Sequence, residues 1–101
     1  MILVNRMTND LKKFIKEQLG YEVKDINHSF DKTGVDGLDA EIFFKNFSEY
    51  FEVDISNFDF SRYFNGGNFL KNIIKYWGKK KSFTFGHLVD VVDSKEWFDP
   101  Y

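Results

Sequence analysis

Six serines, two histidines and a run of carboxylates are the side chains of this sequence with chemistry to offer. Ser29, Ser48, Ser56, Ser61, Ser82 and Ser94 are scattered along the chain. His28 and His87 are the only histidines, and a metal site needs further ligands converging on them; His87 with Asp90 is a candidate pair at helical spacing. Both read as surface or helix-end histidines. The absence of cysteine excludes a disulfide framework, a thiolate nucleophile and a Cys-based zinc site. Asp31-Lys32-Thr33-Gly34 has the order of a phosphoryl-accepting aspartate signature. That chemistry needs a Mg²⁺ site on a Rossmann-like scaffold, which 101 mostly helical residues cannot supply. A calcium loop starting at Asp31 fails because its sixth position is Asp36 rather than Gly and its twelfth is Ile42 rather than Glu. Gly66-Gly67 is not followed by the Lys-Ser/Thr of a phosphate loop. No acid–base or nucleophile–base set stands out, so the expectation is no enzyme, no cofactor and no metal.

Charge is the stronger signal. Residues 31–61 hold eight acids against two lysines, a net of −6, whereas residues 62–82 hold six bases and no acid. Within the acidic stretch, Asp36, Asp39, Glu41, Glu49 and Glu52 are candidates for a partner-docking face, against the plainer reading of a solvated helix. The basic stretch from Arg62 to Lys81 interleaves Tyr63, Phe64, Phe69, Tyr76 and Trp77, a pattern nucleic-acid binders use for stacking. The chain is nonetheless net negative and those rings fit a helix core, so no nucleic-acid partner is expected. No apolar run approaches the roughly 18–20 residues of a membrane span. The first seven residues lack the long apolar stretch of a signal peptide. The expectation is a cytoplasmic protein with no stable membrane insertion.

One domain over residues 1–101 must position these groups. Aromatics make up 20% of the chain, thirteen of them Phe, enough to build a core in a small domain because each ring buries so much area. A first helix is predicted from Thr8 to Leu19, capped by Thr8 or Asn9, with Met7, Leu11, Phe14, Ile15 and Leu19 on one face and Gly20 as its stop. Residues 21–37 have no sustained period and read as a long loop anchored by Val23, Ile26 and Phe30. A second helix from Leu38 to Phe51 buries Ala40, Phe43, Phe44, Phe47 and Phe51, and steps Glu41, Lys45 and Glu49 along another face. Val53 to Phe64 reads as short turns. Asn68 to Trp77 fits a further helix ended by Gly78. A last helix starts at Ser82 or Thr84, buries Phe85, Leu88, Val89 and Val92, and ends near Asp93 or Lys95.

The junction Gly34-Val35-Asp36-Gly37-Leu38-Asp39 resembles acyl carrier proteins, whose second helix opens with Asp-Ser-Leu-Asp after a Gly-containing loop. A closer resemblance is to a bacterial family of uncharacterised acyl-carrier-like proteins. It shares the Asp36–Ala40 junction, the Phe-Asp-Phe-x-Arg-Tyr-Phe string at 58–64, and a last helix followed by Trp97 and Pro100. The shared positions are scattered over residues 31–100. The resemblance implies a mainly α, acyl-carrier-protein-like small helical bundle with a long first loop and an irregular aromatic segment. It also implies that the second helix meets a protein partner with a basic surface. The departure lies at Gly37, which stands at the attachment position and has no hydroxyl to carry phosphopantetheine. The expected function is therefore a non-catalytic interaction module. Two other classes stand beside it: a carrier modified at another serine, and a binder of an acyl or other apolar ligand between helices.

Overall fold

The computed structural model describes residues 2–64 and 81–100. The expected helix from Asn68 to Trp77, the Gly66-Gly67 break, the Gly78 stop and most of the basic stretch lie outside the described residues.

Helix α1 spans Ile2–Leu19. It begins six residues before Thr8, so Thr8 and Asn9 are interior positions and not caps. Their modest propensity penalties are outweighed by the helix formers around them, Leu3, Arg6, Met7 and Leu11. Its buried face is Leu11, Phe14 and Ile15. It stops as expected at Gly20, whose N–H closes on the Lys16 carbonyl at 2.9 Å.

The connection after α1 is less loose than its lack of period implies. Phe30 N–H donates to the Phe83 carbonyl (2.7 Å), Phe85 N–H to His28 (3.2 Å) and Gly86 N–H to Ile26 (2.7 Å). These bonds tie residues 26–30 to the start of the last helix. A Cβ at Gly86 would stand 3.3 Å from the Ile26 carbonyl oxygen, so the close approach leaves little room for a side chain there. A 3₁₀ turn, Phe30–Thr33, follows, opened by the Ser29 hydroxyl accepting from Asp31 N–H. Phe30 is buried by it, with ring contacts to Phe43, Phe44, Phe64, Phe83 and Phe85.

Helix α2 spans Gly37–Phe51 and buries Ala40, Phe43, Phe44, Phe47 and Phe51, the face the period predicts. Phe14 of α1 inserts against Phe43, Phe47 and Phe51 at centroid distances of 5.5, 6.4 and 5.3 Å. Such rings contribute about 1.5–3 kcal/mol each through burial. Glu52 ends α2 in the left-handed region (φ 56°), and the Lys95 ammonium reaches the Phe51 carbonyl (3.3 Å), a favourable place for a cation.

The segment after α2 is irregular, as expected, with a single turn α3 at Phe60–Tyr63. Helix α4 spans Phe85–Ser94, capped by the Thr84 hydroxyl, which accepts from His87 N–H. It packs against α1. A strap of residues 95–100 then folds back beside Asp54 in a parallel bridge. The molecule is a small, compact, mainly helical bundle.

His87 lies at a helix end, as expected, but not at the surface. It is only 8% exposed, and its Nε2–H donates to the Phe98 carbonyl (2.7 Å). The strap covers the first turn of α4, a long-range event invisible to helical period. His28 is a half-exposed surface residue near Asp25, as expected.

Candidate functional site

The start of α2 is built by the stop of the preceding turn. Gly34 ends the 3₁₀ helix in the left-handed region, and Val35 N–H is taken up by the Thr33 hydroxyl. Asp36 is extended (φ −158°, ψ 172°) and Gly37 returns to positive φ (59°) as α2 begins. A residue with a Cβ resists that conformation by about 1–2 kcal/mol, so the backbone itself favours glycine at this position. All six serines lie among the described residues, and none sits at this helix start.

Around that start, α2 exposes apolar side chains. Leu38 is 67% exposed and Ile42 48%. One turn apart, they share the outward face with Lys45 and Glu49, opposite the phenylalanine stripe. Asp36, Asp39 and Glu41 lie beside them in sequence, all exposed. Beside Ile42 lies an open groove of about 400 Å³, lined by Leu19 of α1, Thr33 and Val35 of the connection, and Asp39 and Ile42 of α2.

The five candidate acids do not form one cluster. Asp36, Asp39 and Glu41 gather at the first turn, while Glu49 and Glu52 sit at the far end of a helix that rises about 1.5 Å per residue. Glu49 is tied to Lys45 at 3.7 Å, an exposed pair of the i,i+4 kind. Leu38 and Ile42 are the residues the sequence reading missed. Their signal was present: with Tyr50, they are the large apolar residues of α2 that fall off the buried stripe.

Displaced titration occurs elsewhere, near the other end of α2. The Asp99 carboxyl is held below the ordinary carboxylate range, chiefly by the Tyr63 hydroxyl (2.6 Å), with Trp97 Nε1–H (3.1 Å) and the Arg62 guanidinium (2.9 Å) adding to it against the opposing effect of burial. Asp54 is likewise lowered, chiefly by the backbone N–H of Ser56 (2.9 Å). Among the described residues no group of three or more His, Cys, Asp or Glu is placed to hold a metal ion, and no helix is long and apolar enough to cross a membrane. No family model matches this chain, and neither a curated protein nor a solved structure does.

Proposed function

We propose that this protein is a non-catalytic interaction module of acyl-carrier-like fold that docks a basic partner through the first turns of α2. One observation carries the reading. Leu38 and Ile42 stand in water on the outer face of α2, with the exposed acids Asp36, Asp39 and Glu41 beside them in sequence and Lys45 one turn beyond. Exposed leucine and isoleucine gain from burial, at about 25 cal/mol per Å² of apolar surface removed from water. The carboxylates beside them favour a partner carrying lysine or arginine, and their field sets orientation and association rate more than final affinity. Glu49 and Glu52, at the far end of the helix, extend the same sign of charge along the approach. In this reading no phosphopantetheine arm takes part, because Gly37 offers no hydroxyl and its backbone disfavours any residue that would.

Two measurements test it together. Intact mass after incubation with a phosphopantetheinyl transferase and coenzyme A is expected to stay unchanged; a stoichiometric gain overturns the reading in favour of a carrier. Capture of a partner from host extract by the tagged protein is expected to be salt-sensitive and lost in the double variant Leu38→Ser, Ile42→Ser. Capture that survives this variant moves the docking face away from α2.

A further inference from the structure

We infer that the strap following α4, residues 95–100, is a conformational unit of its own that opens before the helical core and is released by acid through Asp99. The inference is independent of the docking face on α2.

The strap and the core are held by different forces. Only one strap side chain is deeply buried: Trp97, 1% exposed, with its ring against Phe58, Tyr63, Phe83 and His87. Glu96, Phe98 and Pro100 are exposed. The rest of the hold is polar. Trp97 N–H donates to the Asp54 carbonyl (2.8 Å), and Asp54 N–H donates to the Lys95 carbonyl (2.9 Å). Asn57 donates its amide to the Trp97 carbonyl (2.8 Å), and His87 Nε2–H reaches the Phe98 carbonyl. Asp99 gathers the Tyr63 hydroxyl, the Arg62 guanidinium and the Trp97 indole N–H on one carboxylate. The buried side chains that α1 and α2 set against each other, Leu11, Phe14, Ile15, Phe43, Phe47 and Phe51, are hydrocarbon.

Among the described residues, the side chains that act directly on Asp99 favour its ionised form, against the opposing effect of burial. Arg62 and Tyr63 face it from α3, His87 from α4, and Trp97 from the strap itself. Asp59 shares the Arg62 guanidinium, at 4.0 Å from Nε. Because the folded carboxyl is more acidic than the free one, its stabilisation is whole above the free value of about 3.9 and disappears as the pH falls through the lower folded value. Asp54, also lowered, shapes the turn whose backbone pairs with the strap, so acid acts there in the same direction. A protonated His87 still donates from Nε2, so its bond to Phe98 is kept. Opening removes Trp97 from the rings of Phe58, Tyr63 and Phe83 and leaves those faces to solvent.

Nuclear magnetic resonance on the full chain tests this with two probes, the Trp97 indole and backbone N–H signals for the strap and the Phe47 amide for the core. On lowering the pH, the Trp97 signals are expected to move to an open position with a midpoint below about pH 4, while Phe47 stays native to lower pH. At pH 7, Asp99→Asn is expected to speed hydrogen exchange at Trp97 N–H about tenfold, the ratio given by about 1.4 kcal/mol of lost local stability, without speeding it at Phe47. Loss of both probes at one midpoint in the wild type overturns the inference. So does an Asp99→Asn chain that is wholly unfolded at pH 7, or one whose Trp97 exchange is unchanged.

Discussion

Two aromatic regions meet in this small molecule and are secured in opposite ways. Between α1 and α2 the buried contacts run from ring to ring, Phe14 to Phe43, Phe47 and Phe51, and the hydrogen bond that Asn46 donates to Gln18 (2.9 Å) lies outside them, exposed. Around Trp97 the rings of Phe58 and Phe83 are joined by polar groups: the Tyr63 hydroxyl, the His87 imidazole, the Asn57 amide and the Asp99 carboxylate. The first region depends on area and shape, and is indifferent to pH. The second depends on directional bonds, so single atoms matter in it and protons can undo it. A short strap with one buried side chain has too little apolar area to hold itself, and the polar bonds make up the shortfall.

The comparison breaks first at Phe47. It is fully buried and touches Phe14, Phe43, Phe44 and Phe51. Truncation to alanine leaves a ring-sized cavity, and Phe47→Ala is expected to cost about 3–5 kcal/mol in urea unfolding. The loss should be the same at pH 7 and pH 5. A cost under about 1 kcal/mol would mean that the interior repacks and that the ring-only region is not specified by shape.

The polar region gives a smaller and pH-dependent answer. Asp99→Asn removes an ion pair and converts a charged acceptor to a neutral one, with an expected cost of about 1–2 kcal/mol at pH 7. The distinguishing result is the slope. In the wild type, stability falls as the pH drops below about 4, because the paired carboxyl resists protonation in the folded state. In the variant that part of the slope is absent, so the two chains converge in acid. Parallel urea curves at pH 7, 5 and 3 decide it, and a constant gap across the three would remove Asp99 from the account.

The same contrast explains what was legible in the sequence. The phenylalanine stripe of α2 was readable because ring burial follows the 3.6-residue period, and the stop at Gly20 because it is local chemistry; the last helix was bounded only to Ser82 or Thr84 at its start and Asp93 or Lys95 at its end, and the structure selects Thr84 and Lys95 as its caps. The start of α1 was misread because Thr8 and Asn9 are cap-forming residues that also tolerate a helix interior. The burial of His87 and the gathering of Arg62, Tyr63, Trp97 and Asp99 were not readable at all. Asp99 lies 37 residues from Arg62 and 36 from Tyr63, and a hydrogen bond at that separation leaves no periodic trace. At the candidate site, the acids of α2 and their places along it were legible, and so was the position of Leu38 and Ile42 off the buried stripe; the groove beside Ile42 was not, because it depends on where Leu19 and Val35 come to lie.

Gly37 belongs to neither region and tests whether the junction is set by backbone alone. With φ at 59°, a serine there is expected to cost about 1 kcal/mol by thermal or urea unfolding, through strain and not lost contact. Gly37→Ser that proves neutral would show that the chain relaxes to an ordinary helix start. Incubation of this variant with transferase and coenzyme A adds a sharper reading. No modification is expected, because the restored hydroxyl sits on a strained backbone. Modification would show that only the side chain separated this junction from a working carrier.

The smallest effect on stability is predicted where the largest effect on docking is proposed. Leu38 and Ile42 are exposed, so replacing both with serine removes little buried area, and the expected change in unfolding free energy is within about 0.5 kcal/mol. That near-neutrality makes them informative. In the interior, a lost apolar group is felt at once by its neighbours; on the outer face of α2 its absence should be felt only by a partner. If the double variant unfolds markedly more easily than the wild type, Leu38 and Ile42 already belong to the packed region, the groove beside Leu19 and Val35 is part of the core, and the acids beside them flank no site.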